Sequence, residues 1–258
     1  MKYPFIIAVI VIAVVLLPLA GTSPITAQQS GRALILSSIE NSQPMGYKNT
    51  ITRSLASAGY EVTVLDDASA TLNVLTTQLN NYDVVIWRTG LYGYSHTLYW
   101  YVGERDNPTA RAAYAPDFAS GSIDNTYGVL AVNLDFFRNH FKAGTLGNVK
   151  LAVLASRMSL SFAQMWVEAG AKATIDFYGA STPSYGEMDY VVAQIIRNLA
   201  DGSSVKTSIL KTISRFYVSE DANSLDPRYL PPVWYLGDGT VTIAYATLRE
   251  APVRRARG

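Results

Sequence analysis

Three short apolar runs separated by helical segments constrain this chain more than any other feature. They are "RALILSS" (Arg32–Ser38), "EVTVLDD" (Glu61–Asp67) and the strand Asp83–Arg88 within "ATLNVLTTQLNNYDVVIWRTG". Between the first two, Ile51, Leu55 and Ala58 share one helical face, and Gly59 is a helix stop. A second helix ends near Leu79. This β-α-β-α-β alternation predicts a parallel sheet with right-handed crossovers. Strands this apolar belong where helices cover both faces. The expected fold class is therefore α/β: a three-layer α/β/α sandwich around a mostly parallel, doubly wound sheet.

The alternation lapses between Thr89 and Gly128, where Tyr, Gly, Ser and Asn accumulate around Pro108 and Pro116. An irregular connection of that length is a functional loop or a small insertion. Order returns with "GVLAVNLDFFRNHF", the strand "VKLAVLA" and the helix "SLSFAQMWVEAG" stopped by Gly170. The strand "KATIDFYG", the helix "GEMDYVVAQIIRNLADG" and a shorter helix in "SSVKTSILKTISRF" follow. "VWYLGDGTVTIAYATL" reads as a C-terminal hairpin turning on Gly237-Asp238-Gly239. In a doubly wound sheet, ligands bind beyond the carboxyl ends of the strands, at the switch point. Three loops converge there: Ser37–Tyr47, the long one from Thr89, and Ala155–Ser159. Asp66-Asp67 closes the second strand at the same edge, and such acids serve as caps for the helix starting near Ala70.

The first residues stand apart. Lys2 precedes an apolar run from Phe5 to Leu17, and small and polar residues follow Pro18. That is the layout of a secretory signal over residues 1–27, ending before Gln28, or of an uncleaved N-terminal anchor. Residues 28–250 are then one α/β domain, and 251–258 a basic tail with three arginines. The expected location is outside the membrane, extracellular or in the cell envelope. Without Lys2 the charges balance at 20 against 20, so no global field favours nucleic acid. With 49% hydrophobic residues and 17 tyrosines the chain is not disordered. It has no cysteine, which excludes a disulfide framework, a thiolate metal site and thiol catalysis.

"YDVVIWRTG", followed by "VKLAVLASRMSLSFAQMWVEAGAKATIDFYG" and "MDYVVAQIIRNLADGSSVKTSI", resembles the caspase–gingipain clan of cysteine peptidases. The segment Glu168-Ala169-Gly170-Ala171-Lys172-Ala173 matches the end of the clan's helix well, and the resemblance covers Arg32 to Ile213. It implies a caspase-like fold in which the first of these strands delivers a catalytic histidine and the second a cysteine. Neither is present. Arg88-Thr89-Gly90 runs directly into Leu91, and the cysteine position falls on Arg157, or on Ser156 with a one-residue shift. An arginine stays protonated and cannot be a nucleophile. The vestigial positions are thus Thr89, Gly90, Ser156 and Arg157.

A serine needs an adjacent base, and the chain has two histidines. His96 lies on the long loop and is the candidate partner of Ser156; His140 sits on a helical segment farther off. The turn lacks the glycines of a G-x-S-x-G elbow. Ser156, Ser159 and Arg157 also suit an anion at a helix N-terminus, or Ser159 simply caps the helix at Leu160. Tyr92, Tyr94, Tyr99 and Trp100, on the long loop, supply either contact area for a sugar, peptide or protein or packing onto the sheet. No glycine-rich phosphate loop, cofactor or metal set is expected. The sequence favours an exported, catalytically inactive caspase-like domain that binds a protein, peptide or glycan at the cell surface. The rivals are an exported serine-dependent hydrolase using Ser156 and His96, and a plain envelope scaffold.

Overall fold

The apolar runs do pair as strands of one sheet. A computed structural model of the chain describes residues 31–94, 97–156, 160–177, 184–218 and 233–244. The elements are β1 (Gly31–Ser37), α1 (Lys48–Ser57), β2 (Tyr60–Asp66), α2 (Leu72–Thr77), β3 (Val84–Arg88), β4 (Leu91–Tyr94) and β5 (Thr97–Arg105). Then come α3 (Pro108–Ala113), α4 (Ala115–Ser120), β6 (Ile123–Thr126), β7 (Val129–Val132), α5 (Leu134–His140) and β8 (Leu151–Ala155). The last are α6 (Leu160–Glu168), β9 (Ala173–Phe177), α7 (Tyr185–Ala200), α8 (Val205–Val218) and β10 (Val233–Gly237).

The main sheet has the order β10-β9-β8-β3-β1-β2, parallel except for β10. Side chains alternate across it, and helices take up both faces. Ala33, Ile35, Val84, Ile86, Val153 and Ile175 pack with α1, α7 and α8. Leu34, Leu36, Val85, Trp87, Ala152 and Leu154 pack with α2, α5 and α6. This is the three-layer α/β sandwich, with its switch point between β1 and β3. Sequence-legible caps start several helices: the Thr71 hydroxyl accepts from the Val74 N–H, and Ser184 and Glu187 form a capping box on α7.

Of the two alternatives for the stretch from Thr89, the structure has the insertion, folded as a second, antiparallel sheet of order β4-β5-β7-β6 with two short helices. Its Trp100, Val102, Ile123, Leu130 and Val132 belong to the same core as Trp87 and Phe162. Two other expectations change. The C-terminal hairpin is absent among the described residues: β10 pairs with β9, and residues 241–244 carry no strand. Its turn instead meets the start of α8, where the Val205 N–H donates to the Val241 carbonyl. The acids Asp66 and Asp67 do not cap a helix. Asp66 pairs with Lys48 at 2.9 Å, and Asp67 accepts from the Asn41 N–H.

Candidate functional site

Parallel register places Ser37, Arg88 and Ala155 side by side at the carboxyl ends of β1, β3 and β8. The next residues, Thr89 and Ser156, are therefore neighbours; the Thr89 N–H donates to the Ala155 carbonyl at 3.2 Å. They are two of the four vestigial positions expected from the sequence, Thr89, Gly90, Ser156 and Arg157. Their chemistry is largely committed. The Thr89 hydroxyl donates to the Tyr101 carbonyl at 2.6 Å. Gly90 leaves room for the Tyr101 ring, which a Cβ would meet at 2.7 Å. Ser156 is fully buried, and its hydroxyl has no hydrogen-bond partner among the described residues. His96, Arg157 and Ser159 lie outside the described residues, as does the side chain of Tyr94. His140 is engaged elsewhere, with Nε2 2.9 Å from Asp117 Oδ2.

Arg88 was passed over in sequence. It ends β3 on the α7 side, wholly buried, and holds Asp189 through Nε at 2.7 Å and NH2 at 3.3 Å. NH1 donates to the Gln43 carbonyl, and the guanidinium lies 5.1 Å from the centre of the Tyr185 ring. Burial pushes the Asp189 carboxyl above its usual range, against the pull of Arg88 and of the Gly46 N–H. The signals were present: a cation closing an otherwise apolar strand, and an acid inside the apolar stripe of "EMDYVV".

The insertion divides its aromatic residues by strand alternation. Leu98, Trp100 and Val102 turn inward, and Trp100 stacks on Phe162 at 4.5 Å, so this candidate contact residue builds the core. Tyr92, Tyr99 and Tyr101 share the other face. Tyr92 stacks on Tyr99 at 5.2 Å and donates to Asp124 Oδ2 at 2.8 Å. Tyr99 is buried and donates to the Gly121 carbonyl. Burial is the main cause that raises the Tyr92 and Tyr101 phenols above their usual values. Of the predicted aromatic set, Tyr92 is the described member left partly exposed, and Tyr101 and Tyr127, not in that set, join it.

Between this insertion and the ends of β1 and β2 lies a cleft of about 460 Å³, next to the switch point. One wall carries Asn41, Ser42 and Asp67; the other carries Tyr101, Arg105 and Tyr127. The walls touch where Gly103, at φ +98°, sits on the Asp67 backbone, so that a Cβ there would collide with the Asp67 carbonyl oxygen. The two non-glycine residues with positive φ among the described residues, Asp67 (42°) and Tyr127 (55°), both line this cleft. No cluster of three or more potential metal ligands occurs among the described residues.

Among solved structures, the chain is similar to an ADP complex of Bacillus subtilis pyridoxal kinase, at 9% identity and a TM-score of 0.33. That match spans 73% of this chain and 90% of the other. It is also similar to protein GSU0716 from Geobacter sulfurreducens, at 11% identity and a TM-score of 0.42, over 81% and 94% of the two chains. No family model and no curated protein matches the chain.

Proposed function

We propose that this protein is an exported, catalytically inactive domain of caspase–gingipain type that binds a partner at the cell surface through the strand ends and the insertion. One observation carries the reading. The strands that bear the two motifs, β3 and β8, are neighbours, and the segments aligned with the dyad read Thr89-Gly90 and Ser156-Arg157, with no histidine or cysteine. Thr89 is spent on a backbone carbonyl, and the cation beside it is locked to Asp189. Neither group can act as a base toward Ser156. Export rests on the leader-like residues 1–27. The test is a panel of peptide and ester substrates offered to the purified chain. No turnover is expected, together with capture of a surface peptide or glycan that weakens on Arg157→Ala. Turnover abolished by Ser156→Ala would overturn the reading.

A second reading keeps Ser156 as a nucleophile activated by His96, because its hydroxyl is buried and unpartnered among the described residues. It predicts ester hydrolysis with a pH profile governed by one histidine, lost on His96→Gln.

A further inference from the structure

We propose that the cleft between the β1–α1 connection and the inserted sheet binds an acidic saccharide, with Tyr127 and Tyr101 offering ring faces and Arg105 holding the carboxylate. This rests on the reading of the chain as a binding protein, and it names the site and the ligand class.

Tyr127 is the first observation. It forms the tip of the β6–β7 hairpin with Gly128, and both residues have positive φ (55° and 77°), while Thr126 and Val129 pair across the turn. Such a two-residue turn favours Asn-Gly, and a bulky residue at the first position is strained. Tyr127 is also 93% exposed, so it recovers nothing by burial. A strained, unburied aromatic ring above a cleft has its use in what enters the cleft.

The charges are the second. Arg105 forms no ion pair among the described residues, whereas Arg111 holds Asp106 and Arg138 holds Asp135. The acid next in sequence, Asp106, is already taken by Arg111 and Asn125. An irregularity in the β5–β7 register between Tyr101 and Arg105 sets where this arginine emerges. On the opposite wall, the Asp67 carboxylate accepts from the Asn41 N–H alone and faces no cation within ion-pair distance among the described residues, which leaves lone pairs for hydroxyl donors.

The combination selects a ligand. A free guanidinium takes a carboxylate with two parallel hydrogen bonds, and the cleft lies within the ~300–1,000 Å³ usual for small-molecule sites. Tyrosine faces suit the C–H surface of a sugar ring, and Asp67, Asn41 and Ser42 suit its hydroxyls. An extended peptide needs an open strand edge, and β5 has none here: β7 covers one side, β4 and the Asp67 turn the other. A polyphosphate would want more than one cation.

The experiment titrates the purified full chain with a glucuronate-containing hexasaccharide, a neutral N-acetylglucosamine hexasaccharide and hexaglutamate, by calorimetry at two salt concentrations. The glucuronate probe is expected to bind best and to weaken with salt. Arg105→Gln and Tyr127→Gly should each weaken it about tenfold, as for a contact at the centre of an interface. Tyr127→Gly relieves the turn, so its Tm should rise while binding falls; Tyr127→Asn, also suited to the turn, should behave alike. Binding unchanged by these variants, hexaglutamate binding as well as the saccharide, or no binding at millimolar concentration would each overturn the inference. The broader binding reading is judged separately, by turnover and by Arg157→Ala.

Discussion

Arg88 and Asp189 form the most consequential pair of single residues. Each is about 1% exposed, so removing one leaves the other charged and dry. Asp189→Ala is expected to destabilise the chain by about 3–5 kcal/mol, measured by urea unfolding. The double change Arg88→Met with Asp189→Leu should recover most of that loss, because two apolar groups need no partner. Gly103 is the second sensitive position. Gly103→Ala would drive its Cβ into the Asp67 carbonyl oxygen, at φ +98°, and is expected to lose about 1–3 kcal/mol or more. A cation and an acid in apolar surroundings stood out in sequence, but their pairing and the Gly103 contact did not. An arginine in "WRTG" looks like the start of a loop, and its partner lies 101 residues away on another element.

At the scale of elements, the connection after β1 is held by charge. Burial pushes the Glu40 carboxyl up, but Lys48, the Ser37 hydroxyl and the Met45 N–H together bring it below its ordinary value of 4.5. A lowered folded value adds stability that is complete above 4.5 and lost as pH falls through the lowered value. Glu40→Gln should therefore flatten the acid limb of the stability profile and leave the slope through the neutral range alone, as read from Tm against pH. The capping box on α7 is a simpler case: Ser184→Ala is expected to lose about 1 kcal/mol. Helix punctuation was legible because caps and stops are local; Gly59, Gly170 and Gly202 all have the positive φ their position requires. The inserted sheet was not. Two of its strands, β4 and β5, alternate tyrosine with Leu, Trp or Val, so alternation did not register there as polar against apolar. The pairing of the first leg of the expected C-terminal hairpin with β9 was not legible either, because β9 lies some sixty residues earlier in the chain.

For the whole molecule, the α/β class, the doubly wound parallel sheet and the meeting of the β3 and β8 ends were all readable from periodicity. The convergence of the β1–α1 connection, the end of β2 and the stretch from Thr89 was readable as well, but which side chains line the cleft between them was not, since these come from elements distant in sequence. Trp100 of the insertion stacks on Phe162 of α6, which in turn meets Trp87 of β3. The two sheets therefore share one core, and a single unfolding transition is expected by circular dichroism and by tryptophan fluorescence. Separate transitions would mean that the insertion folds independently. A chain lacking residues 91–128 should not reach the native state, because Trp87 and Phe162 would lose their cover.

The contact between Gly103 and the Asp67 carbonyl has one more consequence. It fastens the two walls of the cleft to each other through backbone alone, with no side chain that must find its place first. A guest entering between them need not draw the walls together, and little chain freedom is surrendered on arrival. Association should then be a single rapid step whose observed rate rises linearly with ligand concentration, without the plateau that a gating motion imposes.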